Sequence, residues 1–136
     1  MRIFRCLLLV VFVLGGSAAH ARESSLEDYE NVPATGKDGK PLAAEQIRKA
    51  IFLGADMSRW VVSVKESGNT LKATYTWGSH TAVVDIEYAA GRYSIRYVDS
   101  RNLDFSEKNG VRVVHPAYNT VVTQLKTRID GTLKLF

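Results

Sequence analysis

The chain has 136 residues, one cysteine and a formal net charge of +4. This length suits one domain rather than two, and a single cysteine excludes an internal disulfide. The basic residues are dispersed, with no run longer than Arg48-Lys49, which indicates an ordinary solvated surface; no nucleic-acid partner is expected.

Residues 1–21 have the pattern of a cleavable secretory signal peptide. Arg2 and Arg5 precede the apolar run Cys6 to Leu14, and Ala19-His20-Ala21 forms an A-x-A cleavage site. The apolar run is well short of the ~20 residues that span a bilayer as a helix; the alternative is an uncleaved membrane anchor. Cleavage predicts a periplasmic protein of 115 residues with a net charge of +2, no cysteine and no stable membrane anchor.

Residues 22–41 are predicted to form a flexible leader, because they are acidic and are interrupted by proline and glycine. The single folded domain is expected over residues 42–136. It begins with a helix over 42–57, in which small and apolar residues recur at i, i+3, i+4 and i+7. These residues are Ile47, Ala50, Ile51 and Gly54.

Residues 60–98 change to a period of two, which predicts four strands of an antiparallel meander. The expected turns are Ser67-Gly68, Gly78-Ser79 and Ala89-Ala90-Gly91-Arg92, and Gly-Ser suits a type II′ hairpin. If Tyr88 faces Tyr93, then Asp85 faces Arg96 on the outer side of the sheet, where opposite charges help to fix the register.

Residues 99–115 are expected to form a long connection with a short extended piece at Val111, Val113 and Val114, and residues 116–130 a second helix. Pro116 suits the first helical position and Gly131 the position just past the end. Tyr118, Val121, Val122, Leu125 and Ile129 form its apolar stripe. The predicted fold is therefore α+β, a two-layer α-β-β-β-β-α sandwich with a four-stranded antiparallel meander and both helices on one face.

The sequence holds no recognisable catalytic motif, and an enzyme is not expected. After cleavage only His80 and His115 remain as histidines, no G-x-S-x-G elbow is present, and no zinc spacing occurs. Asp99, Asn102 and Asp104 lack the ligand pattern of a calcium loop. No metal and no cofactor are predicted.

The 99–115 connection is the predicted location of function, since long irregular loops in small domains are often functional. The candidate binding residues are Arg96, Asp99, Arg101, Asn102, Arg112 and His115. In one interpretation, the arginines and the start of the second helix receive an anion or an acidic partner segment. In the other, Asp99 and Asn102 serve turns and the loop is structural.

Three segments resemble a family of small, uncharacterised proteobacterial exported proteins that are often labelled lipoproteins. They are HTAVVDIEY (80–88), YSIRYVDSRNL (93–103) and HPAYNTVVTQL (115–125), and the resemblance extends over about residues 43–130. It implies export but no activity, cofactor or catalytic residue. Family members often carry a lipid-attachment cysteine where this chain has Ala21-Arg22.

Two functions follow as hypotheses. The first is a non-enzymatic envelope accessory or protein-interaction module whose partner is an envelope protein; the sequence does not define the oligomeric state. The second is a small-ligand-binding domain with a cleft between sheet and helices, lined by tyrosines and bordered by the 99–115 connection. Five aromatic residues fall on the apolar face of the predicted sheet. These are Tyr75, Trp77, Tyr88, Tyr93 and Tyr97. A filled core with a surface patch favours the first, and a cavity favours the second.

Overall fold

A computed structural model describes residues 23–65 and 68–136. The predicted signal peptide with its cleavage site, and Ser67 of the predicted Ser67-Gly68 turn, lie outside the described residues. The elements in chain order are β1 (Ser24–Ser25), β2 (Tyr29–Pro33), α1 (Ala44–Met57), β3 (Val61–Val64), β4 (Thr70–Trp77), β5 (His80–Ala89), β6 (Arg92–Arg101), β7 (Ser106–Lys108), β8 (Val111–Val114) and α2 (Pro116–Leu133).

Both predicted helices are confirmed, with changes at their ends. The apolar stripes predicted for α1 and α2 are buried. Helix α1 begins at Ala44, where the side chain of Gln46 accepts a hydrogen bond from the Ala43 N–H. Helix α2 has Pro116 in its first turn but runs through Gly131 to Leu133, so Gly131 is not the residue that ends it.

The meander is also confirmed, from β3 to β6, with every neighbouring pair antiparallel. Tyr88 pairs with Tyr93 and Asp85 with Arg96, as the charge pattern predicts. The carboxylate of Asp85 nevertheless forms its ion pair with Lys65, at 2.8 Å. Gly78 has a φ of +54° at the first central position of the β4–β5 turn, where a type II′ hairpin requires a positive value.

The expectation of a flexible leader over residues 22–41 is wrong for the described part of this segment. Strand β2 pairs with β6, and β1 pairs with β8 near the start of α2. Leu26 and Ala34 are buried in the core. This segment therefore covers part of the sheet edge and contributes to packing.

The expectation of a long irregular connection over residues 99–115 is wrong for most of its length, although the short extended piece expected at its end is present as β8. Strand β6 continues to Arg101, and β7 and β8 form a hairpin. Asn109 and Gly110 both have positive φ at its turn, at 54° and 77°, which is the combination that a type I′ hairpin requires.

The class is therefore α+β, as predicted, but the strand count is different. A five-stranded sheet has the order β2-β6-β5-β4-β3, and a three-stranded sheet has the order β1-β8-β7. One face of the larger sheet joins the buried sides of α1 and α2 in one core cluster. Gly54 of α1 packs against the α2 backbone rather than against the sheet, since a Cβ at Gly54 would lie 2.8 Å from the Ile129 nitrogen.

Candidate functional site

Arg96, the first of the predicted site residues, lies in an ion network on the outer side of the sheet. Its guanidinium donates to both Glu30 carboxylate oxygens, at 2.7 and 2.8 Å, and to Glu87 at 3.0 Å. The hydrogen bond from Arg96 lowers the pKa of Glu30. These donors are already engaged, so Arg96 holds β2 to β6 and is poorly placed to receive a ligand.

Arg112 is occupied in the same way. It donates to Asp28 at 2.8 Å, and the other oxygen of Asp28 accepts from the Tyr97 backbone N–H at 2.8 Å. The hydrogen bond to Asp28 raises the pKa of Arg112 above its already high ordinary value, so its charge is fixed. Asp28 thus joins the N-terminal segment to β6 and β8.

His115 caps helix α2. Its Nδ1 accepts a hydrogen bond from the Ala117 N–H at 3.0 Å, so one of the free N–H groups of the first turn is satisfied within the chain. The backbone N–H of His115 in turn donates to the Leu103 carbonyl at 2.7 Å. The start of α2 is therefore held by hydrogen bonds within the chain.

The remaining predicted site residues lie near the end of β6. Asp99 accepts from the backbone N–H of Ser100, and Arg101 is exposed. Asn102 has a φ of +57° and donates through its side chain to Ser79 at 2.7 Å, while its carbonyl accepts from His80 Nδ1 at 2.7 Å. The six predicted site residues thus lie at separate places in the fold and do not form one binding site.

The aromatic residues of the inner face largely stack on one another. Tyr75 lies between Trp60 and Trp77, with ring centroids 5.5 and 5.0 Å apart, and His80 continues the row at 5.3 Å from Trp77. Because stacked neighbours cover the ring faces, this row is not a flat platform for a ligand.

The buried tyrosines are unsuited to act as bases. Burial raises the pKa of Tyr93, and its hydrogen bond to Asp130 raises it further. Burial is also the main cause of the raised pKa of Tyr118. Asp130 accepts a second hydrogen bond from Lys126 at 2.6 Å. These contacts attach α2 to β6 and keep the phenols protonated.

A surface cleft of about 470 Å³ lies where the end of α1, strand β4 and helix α2 meet. We call it the arginine cleft. Its lining residues are Met57, Ser58, Arg59, Tyr75, Thr123, Gln124, Thr127 and Arg128. The residues from α2 form two i, i+4 pairs, Thr123 with Thr127 and Gln124 with Arg128. Within the described residues, neither Arg59 nor Arg128 forms an ion pair.

An exposed apolar surface continues from this cleft over the two helices. Leu53 and Met57 on α1 are 45% and 58% exposed, and Leu135 after α2 is 67% exposed. Met57 lines both the arginine cleft and a neighbouring hollow that contains Leu135. We call Leu53, Met57 and Leu135 the helix patch.

Basic residues surround the helix patch. Arg48 and Lys49 line a hollow together with Leu53, and Arg48 lies over the ring of Phe52 at 5.0 Å. Arg128 borders the hollow that contains Leu135. This surface could not be predicted from the sequence, because its residues belong to two distant segments that only the packing of α1 on α2 brings together.

Residues 23–65 and 68–136 contain no group of three or more His, Cys, Asp or Glu side chains placed to hold a metal ion. Over the same residues, no helix is both long and apolar enough to cross a membrane. No family model, curated protein or solved structure matches this chain. The resemblance based on the three sequence segments stays a prediction.

Proposed function

We propose that this chain is a non-enzymatic interaction module of the bacterial periplasm that binds an acidic, amphipathic segment of a partner protein. The helix patch is the observation that carries this proposal. Neighbouring exposed apolar side chains that form one surface are typical of an interaction site, whereas apolar residues scattered singly over a surface are not.

The architecture supports the placement of this surface. We infer that α1 and α2 form one layer over the larger sheet. Their inner sides then complete the core, while their outer sides remain free to contact a partner. Leu53 and Met57 are four residues apart on α1, so they present adjacent side chains on one side of the helix.

The charge around the patch favours an acidic partner. Basic side chains from both helices border it, while the acids on α1 are few: Glu45 lies 3.7 Å from Arg48, and Asp56 is exposed. Apolar anchors on the partner would fill the patch, and carboxylates at its rim would face the guanidinium groups and speed association.

Export is the second part of the proposal, and it rests on the signal-peptide pattern. Cleavage after Ala21 would leave β1, which begins at Ser24, intact with its pairing to Val114. Intact-mass measurement after expression in the native host tests this step. A mature N-terminus at Arg22 is expected; a mass that retains residues 1–21, or that includes a lipid, would contradict it.

The docking experiment compares two variants in capture from the periplasm of the native host. Leu53→Ser combined with Leu135→Ser disrupts the helix patch. Val111→Ser replaces an apolar residue of similar exposure, 61%, on β8 outside the patch. A partner that is identified by mass spectrometry, then purified, should bind the wild type and Val111→Ser equally but the double variant at least about tenfold more weakly. Equal binding by all three would show that the patch is not the docking surface.

A further inference from the structure

The arginine cleft contains positive charge without a neighbouring negative charge. Arg59 comes from the segment that follows α1, and Arg128 comes from α2, so two arginines line one cleft. No aspartate or glutamate is among the lining residues, and in the described part of the chain neither arginine has a carboxylate within 4.0 Å. Like charges in one concave site repel each other unless an anion lies between them.

Arg59 is also held in a backbone conformation that its side chain disfavours. Its φ is +64°. The Arg59 N–H donates to the Asp56 carbonyl and the Trp60 N–H donates to the Ala55 carbonyl, which is the Schellman pattern that ends a helix. Glycine is the usual residue at this left-handed position because a Cβ is strained there. An arginine at this position therefore costs stability, and strained residues of this kind cluster at functional sites.

The other polar groups of the cleft complement an anion. Thr127 and Gln124 supply donors from α2, and the Tyr75 hydroxyl supplies a third from β4. Guanidinium forks bind phosphate or carboxylate oxygens through paired hydrogen bonds. The cleft volume of about 470 Å³ falls within the range of small-molecule sites.

We propose that the arginine cleft binds a small ligand with at least two negative charges on phosphate or carboxylate groups. Arg59 and Arg128 each hold one oxyanion, and the hydroxyl and amide groups of α2 orient it. This proposal requires no protein partner, only the two arginines and a small anion, although Arg128 also borders the helix patch.

The test measures the binding of inorganic pyrophosphate and of citrate by NMR, at constant chloride concentration. Both probes carry several negative charges, and the two arms separate a phosphate from a carboxylate preference. In the wild type, at least one probe should shift the backbone amide signals of Ser58, Arg59 and Thr127 in a saturable manner. Arg59→Gly and Arg128→Gln should each weaken this binding at least about tenfold, the expected result of losing a charge-assisted hydrogen bond. Arg101→Gln, which removes an exposed arginine outside the cleft, should leave it unchanged.

Arg59→Gly also separates loss of binding from loss of folding. Glycine relieves the left-handed strain, so the melting temperature should rise by about 2–6 °C while binding is lost. Three results would each overturn the proposal: no saturable shift with either probe up to about 10 mM, equal weakening by Arg101→Gln, or wild-type binding by Arg59→Gly.

Discussion

Gly54 of α1 lies directly against the backbone of Ile129 in α2. A Cβ at Gly54 would come within 2.8 Å of the Ile129 nitrogen and 2.9 Å of its Cα, closer than any relaxed packing permits. Thr132 strengthens the same contact by donating its hydroxyl to the Ala50 carbonyl at 2.6 Å. The two helices are thus locked together at the point where the arginine cleft and the helix patch are built.

Gly54→Ala should therefore destabilise the protein, although alanine is the better helix former. Glycine in a helix interior costs roughly 0.5–1 kcal/mol relative to alanine. Overpacking against backbone that cannot rotate away costs about 1–3 kcal/mol. The clash should prevail, with a net loss of about 1–2 kcal/mol in the free energy of unfolding in urea.

Gly131→Ala is the matched control for this prediction. Gly131 lies in α2, and a Cβ at this position would have no neighbouring heavy atom within 4 Å, so only the gain in helix propensity remains. It should stabilise the protein by about 0.5–1 kcal/mol. If Gly54→Ala stabilised it as well, the close packing of the two helices would be refuted.

The sequence identified the helices and the meander because each has a clear apolar period. Strand β2 was not predicted, because it bulges between Tyr29 and Val32, where Asn31 takes a positive φ. The bulge breaks the alternation of apolar and polar residues. Strand β7 was not predicted either, because Ser106–Lys108 is exposed throughout and has no apolar side. The pair Asn109-Gly110 is typical of a two-residue hairpin turn, and the β7–β8 hairpin could have been predicted from it.

The candidate site was less accessible to sequence reasoning. Arg59 and Arg128 are far apart in the chain and meet only through the packing of α1 on α2. The one local signal is that α1 ends without a glycine or asparagine at the left-handed position, which Arg59 occupies instead. The charged residues singled out in the sequence are largely engaged in ion pairs, caps and turns, and such roles depend on distant partners, for example Asp28 for Arg112.

Leu125→Ala tests the docking of α2 on the core. Leu125 is fully buried, so truncation removes apolar contacts and leaves a cavity. We expect a loss of about 2–5 kcal/mol, measured by urea unfolding. Leu135→Ala removes the same atoms from a side chain that is 67% exposed and should change stability by no more than about 0.5 kcal/mol. Similar values for both variants would mean that α2 is not docked in this way.

Asn102 is expected to have a structural role that depends on both its backbone and its side chain. Asn102→Gly keeps the positive φ without strain but loses the hydrogen bond to Ser79, at a cost of about 0.5–1.5 kcal/mol. Asn102→Ala loses the same bond and adds left-handed strain of roughly 1–2 kcal/mol. Thermal unfolding should therefore rank the wild type above the glycine variant and the glycine variant above the alanine variant. Unchanged stability with lost partner binding would instead assign Asn102 to a functional surface.

Tyr93→Phe should change how stability depends on alkaline pH. The folded protein holds the Tyr93 proton more tightly than the unfolded chain does, since its pKa is raised above the ordinary 10.0. A raised pKa gives a stabilising contribution that is fully present below pH 10 and is lost as the pH rises toward the folded-state value. For one such tyrosine, the free energy of unfolding falls by about 1.4 kcal/mol between pH 8 and pH 11.

At pH 8 the variant should be less stable by about 1–2 kcal/mol, because it lacks the hydrogen bond to Asp130. Between pH 8 and pH 11 its stability should decline less than that of the wild type, so the two urea-derived curves should converge. Tyr118→Phe is the companion variant: burial raises the pKa of Tyr118 too, so the alkaline slope should lessen without any loss of the Asp130 contact. Parallel wild-type and Tyr93→Phe curves across this pH range would show that Tyr93 ionises as freely in the folded protein as in the unfolded chain.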